Sequence, residues 1–133
     1  MFHHIVPLQV RYNDVDQQGH INNAVIMEFF DLGKSDYFET VGISVTPESD
    51  FTVLIVHYDV DFTGQMLFHD KMQVCTRLEK LGNKSLTLHQ EVHANGKCCV
   101  VCHTILSGYS RSAHASAVIP EEIKERIRQY EGQ

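Results

Sequence analysis

The longest patterned stretch of the chain runs from Asn23 to about Val41. Glu28, Asp31, Ser35 and Glu39 recur there at spacings of three and four, and Val25, Ile26, Met27, Phe29, Phe30, Leu32, Tyr37 and Phe38 fill most of the remaining positions. This spacing predicts a helix with one narrow polar seam, and a helix apolar around so much of its circumference must be wrapped by other elements. Four segments can do so: 52–63 (TVLIVHYDVDFT), 68–80 (FHDKMQVCTRLEK), 84–93 (KSLTLHQEVH) and 97–109 (KCCVVCHTILSGY). Each is rich in β-branched and aromatic residues, with stretches of period-two alternation that predict strands. Polar joints separate them, and Asn95-Gly96 between two alternating runs predicts a tight hairpin. An earlier strand is expected over 5–12 (IVPLQVRY), with Pro7 placing it at an edge or near the strand start. Pro120, Glu121 and Glu122 open a short closing helix with Ile123 and Ile127 on one face. The expected architecture is α+β: one strand, a buried central helix, a meander of about four strands curled around it as an antiparallel sheet, and a terminal helix.

Length makes this one domain over residues 1–133, since such a chain buries one core and is too short for two. Hydrophobic content of 43% and charged content of 21% suit a soluble protein. No apolar run reaches the roughly 18 residues of a membrane span. The opening MFHHIVPLQV lacks a basic region followed by an unbroken apolar one, which makes a cytoplasmic location the expectation and a membrane partner unexpected. A net charge of −6 argues against a nucleic-acid partner. Cys75, Cys98, Cys99 and Cys102 are too clustered for a disulfide framework and are expected as reduced, packed thiols.

Chemistry concentrates just before the helix, in RYNDVDQQGHINNA (11–24). Gly19 permits a tight turn, and Asn22 or Asn23 can cap the helix while its first N–H groups lack intrahelical partners. Such N–H groups, at the positive end of the helix dipole, can receive a carbonyl oxygen that becomes anionic under attack. Asp16 lies close enough along the chain to act on the same carbonyl, as nucleophile or as base for a water.

The stretch Arg11 to Asn23 resembles the R-x-x-D-x-D-x-x-G-H-x-N-N signature of hotdog-fold acyl-CoA thioesterases, the 4-hydroxybenzoyl-CoA thioesterase-like group. The resemblance implies a hotdog fold and thioester hydrolysis of an acyl-CoA, with Asp16 as the catalytic carboxylate and the backbone N–H of Asn23 polarising the carbonyl. It also implies His20 as a helper that orients water or the carbonyl, unless its ring only braces the loop. No separate cofactor is implied, coenzyme A being part of the substrate, and a homodimer or homotetramer with shared sites is expected. Asp14 is expected to be structural, pairing with Arg11 or capping the turn, because two ionised carboxylates in one small pocket repel. Rival readings are a hotdog hydratase or dehydratase, and a non-catalytic module binding acyl-CoA or acyl-carrier protein.

Two departures from the family pattern stand out. Lys34 occupies a position where many relatives carry arginine. His57, Asp59 and Asp61 share one strand face, expected as a solvated face or subunit contact, or else as the lining for a polar acyl group. Lys80 and Lys84, flanking Leu81-Gly82-Asn83, are the best local cation pair for the CoA phosphates, with Arg77 and Arg111 as further candidates. A solvated turn is the alternative for the lysines. His89, Glu91 and His93 should share one strand face, and Cys98 and Cys102 another, but neither set matches a metal-ligand motif and no metal is expected. His3 and His4 are expected to contact nothing.

Overall fold

The computed structural model describes residues 2–132. Strand β1 (His4–Leu8) leads through a 3-10 turn (Tyr12–Asp14) to helix α1 (Asn23–Val41); β2 (Phe51–Phe62), β3 (Met72–Leu81), β4 (Ser85–Ala94), β5 (Lys97–Ser110), a short β6 (Ala115–Ser116) and α2 (Glu121–Glu131) follow. All strand pairs are antiparallel, in the order β1-β3-β4-β5-β2 with β6 beside β5. This is the hotdog fold, α+β, with the sheet curled around α1.

The helix has the predicted bounds, and the four seam residues are all exposed or half-exposed. Ile26, Phe29, Phe30, Tyr37, Phe38 and Val41 are buried, the first three in one core cluster with Val74, Val92 and Val100, the others in a second cluster with Leu78, Leu86, Leu88 and Leu106. Gly33 marks the closest approach of helix and sheet: a Cβ built there would stand 2.9 Å from both Gln90 Nε2 and Val74 Cγ2. Gln90 spans that contact, donating to the Phe30 carbonyl at 3.0 Å and to Thr76 Oγ1 at 2.9 Å. The αL residue Gly42 ends α1, and Asn95 and Gly96 both take positive φ (55° and 82°) in the expected β4–β5 hairpin.

Four expectations need correction. Only β3, β4 and β5 form a meander; β2 pairs with β5 at the far edge, because alternation fixes which side chains face the core but not which strand lies alongside. The strand expected from residue 68 starts at Met72, since Leu67 N donates to Asp70 Oδ2 and Asp70 N to the Leu67 carbonyl, closing a turn. The first strand ends at Leu8 rather than continuing to Tyr12, which belongs to the 3-10 turn. His4 is not idle: it is buried, shares a 2.7 Å hydrogen bond with Tyr130 and lies 2.8 Å from Asp36, tying β1 to both helices. Helix α2 closes the fold through Ile127, which is buried, and Glu131, which accepts from Tyr37 Oη at 2.6 Å and from the Leu78 N–H at 3.1 Å.

Candidate active site

The bridge Val15–Ile21 pinches residues 16–20 into a loop, and Gly19 turns it with φ 82°. Inside the loop, Asp16 N donates to the His20 carbonyl at 2.8 Å and Gly19 N to the Asp16 carbonyl at 3.1 Å. The Asp16 carboxylate takes part with one oxygen: Oδ1 accepts from Gln18 N at 2.8 Å and His20 N at 3.1 Å. Among the described residues, Oδ2 has no partner. The side chain is therefore oriented by its own turn and keeps one oxygen free at an exposed position. Asp14 is a buried brace, its Oδ2 accepting from Arg11 N at 2.8 Å, with Arg11 Nη2 3.8 Å from Oδ1.

Of the two asparagines, Asn22 is the cap: it is extended (φ −62°, ψ 137°) and its Oδ1 accepts from Ala24 N at 2.8 Å. Asn23 is the first helical residue. Its N–H finds no acceptor among the described residues, as expected of a first-turn donor whose neighbour's cap serves Ala24 instead. A cavity of about 240 Å³ opens beside it, lined by His20, Asn23, Ile26, Phe62, Gly64 and Met66 among others. The loop is fastened to the opposite wall by Ile21 N, which donates to the Met66 carbonyl at 3.1 Å, and by the bridge His20–Leu67. His20 and Asn23 thus share a cavity, while Asp16 lies next to it in the same loop and outside its lining. The Phe62–Met66 wall was not foreseen; in the sequence it reads only as a joint after a strand.

The lysine pair lies elsewhere. Lys80 and Lys84 are exposed at the β3–β4 turn, whereas the Asn23 cavity adjoins the end of the sheet where Met72, Ala94 and Phe62 lie. Eight residues along β3 separate the two ends, ~26 Å. Within one chain these lysines and the helix start do not form one site. Arg111 is engaged with the carbonyls of Ser49 and Val45, and Arg77 lies over the Phe2 ring at 5.5 Å.

Lys34 is 4% exposed, with its Nζ 3.6 Å from Asp31 Oδ1, and burial pushes its pKa down. It borders a second cavity with Phe38, Val53 and Ile55, on the side of α1 that faces β2. His57, Asp59 and Asp61 are exposed on β2, with His57 Nε2 3.6 Å from Asp59. All four cysteines are free. Cys98 and Cys102 do not share a face: a bulge at the Val92/His93 register inserts one residue, turning Cys98 outward beside Glu91 and leaving Cys102 in the core.

A curled sheet around one helix, with a braced acidic loop at the helix start, places the molecule in the hotdog class. The sequence matches the Thioesterase-like superfamily over residues 10–127, and the chain belongs to that family. Among solved structures it is similar to a thioesterase from Thermus thermophilus complexed with coenzyme A and zinc, 31% identical, covering 99% of this chain and 96% of the other with a TM-score of 0.85. It is also similar to a predicted thioesterase from Bacillus stearothermophilus (26% identity, 95% and 94% coverage, TM-score 0.85). The uncharacterized protein YsmA of Bacillus subtilis (strain 168) is 22% identical over 121 residues, 90% of this chain and 82% of its own length. No helix among the described residues is long and apolar enough to cross a membrane.

Proposed function

We propose that this protein hydrolyses the thioester of an acyl-CoA, giving a free acid and coenzyme A. The observation that carries the reading is the unpartnered Asn23 N–H at the mouth of the cavity, one loop away from a carboxylate that keeps one oxygen free. The thioester carbonyl oxygen would sit on that N–H, where the helix dipole favours the charge that develops as the carbonyl is attacked. Asp16 either attacks the carbonyl carbon itself, forming an anhydride that water then opens, or takes a proton from a water that attacks in its place. In both routes the C–S bond breaks, a C–O bond forms, and the departing sulfur receives a proton. His20, half-buried in the cavity wall, orients the water or the carbonyl.

Self-association completes the site in this reading. Strand β2 is a sheet edge, yet Leu54, Ile55, Val56, Tyr58 and Phe62 are between 42% and 61% exposed on it, an apolar edge of the kind that a second copy covers. Two copies joined edge to edge along β2 run their sheets in opposite directions. The Lys80–Lys84 turn of one copy then lies toward the same side as the Asn23 end of the other, and the lysines can meet CoA phosphates only across that two-fold.

A thiol-release assay on purified protein, run over acyl-CoAs from short aliphatic to aromatic, tests the reading. Turnover is expected with some of them, and replacing both lysines with Ala should raise KM at low salt with little change in kcat. Tight acyl-CoA binding with no thiol released from any substrate would instead make the protein a binding module.

A further inference from the structure

The outer face of the sheet, away from α1, carries an imidazole–carboxylate set that the proposed reaction does not use. His89 of β4 and His103 of β5 are register partners, with ring centroids 4.6 Å apart. Glu79 of β3 joins them because of a bulge: between Leu78 and Leu81, which both pack into the core, the strand has two residues where strict alternation allows one. Its Oε1 lies 3.7 Å from His89 Nδ1 and 3.2 Å from His103 Nδ1, and the three ligand atoms lie within 4.8 Å of one another.

Glu91 decides what His89 offers to this set. A carboxylate only accepts, so the 2.7 Å contact between His89 Nε2 and Glu91 Oε2 puts the ring's proton on Nε2. In the neutral ring, Nδ1 then bears a lone pair. That atom is buried and has no hydrogen-bond partner among the described residues, and it faces a carboxylate. A lone pair buried opposite a negative charge is unfavourable, and a cation between them resolves it. The carboxylate behind the imidazole is the arrangement that orients metal-bound histidines. An ion holding nitrogen and oxygen at ~2.0–2.2 Å in a tetrahedron sets those atoms ~3.3–3.6 Å apart, close to the two separations above. His103 and Glu79 are partly exposed, which gives the ion a way in and a water as fourth ligand.

We propose that Glu79, His89 and His103 bind a zinc ion that staples β3, β4 and β5 together on the outer face of the sheet, with Glu91 orienting His89. The neighbouring group Glu91, His93 and Cys98 is the rival. There, the shortest pair is spent on a 2.7 Å hydrogen bond between His93 and Glu91, and burial with the Glu91 charge pushes the Cys98 thiol up, away from the thiolate that binds metal.

The test uses the full chain, stripped with chelator and dialysed, titrated with zinc chloride by calorimetry and melted with and without zinc. The wild type should bind zinc and melt higher with it. His103→Gln and Glu79→Gln, both at partly exposed positions, should each lose one equivalent or weaken it at least tenfold, while their metal-free melting temperatures stay near wild type. His93→Gln should keep the zinc. The proposal fails if the wild type binds no zinc, if His103→Gln binds as much as wild type, or if His93→Gln alone loses it. Magnesium should give no shift, since a hard cation prefers oxygen ligands; a shift equal to zinc's would also overturn the assignment.

Discussion

The two halves of α1 divide the labour of this fold. Its first turn, Asn22 to Ala24, is exposed, carries a cap and presents an unpartnered N–H beside a cavity. Its middle, from Phe29 to Phe38, is pressed so closely on the sheet that a glycine is needed at the contact and even a lysine is buried. One continuous helix thus holds rigid at its centre what it offers to a ligand at its start. Substitutions at the start should therefore change chemistry with little effect on stability, and those in the middle should do the reverse.

The largest separation is expected for Asp16→Asn. The amide keeps the size of the side chain and an oxygen for the Gln18 and His20 N–H groups but is neither base nor nucleophile. Thioester hydrolysis should fall on the order of 10²–10⁴-fold, ~3–5 kcal/mol of barrier, with the melting temperature unchanged. A variant that hydrolyses at near wild-type rate would sink the mechanism. One that melts far lower would make Asp16 a brace of its loop.

Gly33→Ala tests the other half. Alanine gains up to ~1 kcal/mol in helix propensity. Against this, its methyl meets Val74 Cγ2, a stiff and fully buried group, and Gln90 Nε2, which two hydrogen bonds hold in place. Overpacking of this kind costs ~1–3 kcal/mol, so a net loss is expected in denaturant melts, with kcat per folded molecule retained. A more stable variant would mean that the helix can lift off the sheet.

Lys34 sharpens the contrast through pH. Its folded pKa lies below the unfolded value of 10.5 because of burial, so the folded state gives up its proton first. Stability should therefore rise as pH climbs from the folded pKa toward 10.5, and the burial penalty is felt in full at lower pH. Lys34→Met removes the charge and should be neutral or stabilising at pH 7, by up to ~1–2 kcal/mol, with its advantage over wild type shrinking by pH 10. Paired melts at the two pH values measure this, and a constant gap would contradict the buried-charge account.

What could be read in the sequence was mostly local. The bounds of α1 follow from a polar seam repeated over about three turns within a long apolar run, and the Asn95-Gly96 hairpin from two residues that tolerate positive φ. The candidate loop was legible because Asp16, His20 and Asn23 lie within eight positions of one another. The strand order was not, since β2 alternates as well beside β5 as beside β3. Neither was the separation of Lys80 and Lys84 from the helix start, nor the burial of Lys34, which is flanked by Gly33 and the seam residue Ser35 and could equally have pointed into the seam. The Glu79–His89–His103 set draws one residue from each of three strands, and a bulge positions one of them. No linear spacing announces such a set.

The smallest expected effects come from the two asparagines, and they separate cap from donor. Asn22 holds Ala24 N with its side chain, so Asn22→Ala should cost ~1 kcal/mol of stability. Asn23 is proposed to act through its backbone N–H, which alanine retains, and its side chain is exposed. Asn23→Ala should therefore leave stability within about 0.5 kcal/mol and preserve most of the turnover. Asn22→Ala frays the turn that aims the Asn23 N–H, so it should lower kcat modestly along with the melting temperature. If Asn23→Ala instead lost hydrolysis as heavily as Asp16→Asn, the oxygen of the thioester would be held by the side-chain amide, and the first backbone N–H of α1 would no longer be needed to explain the site.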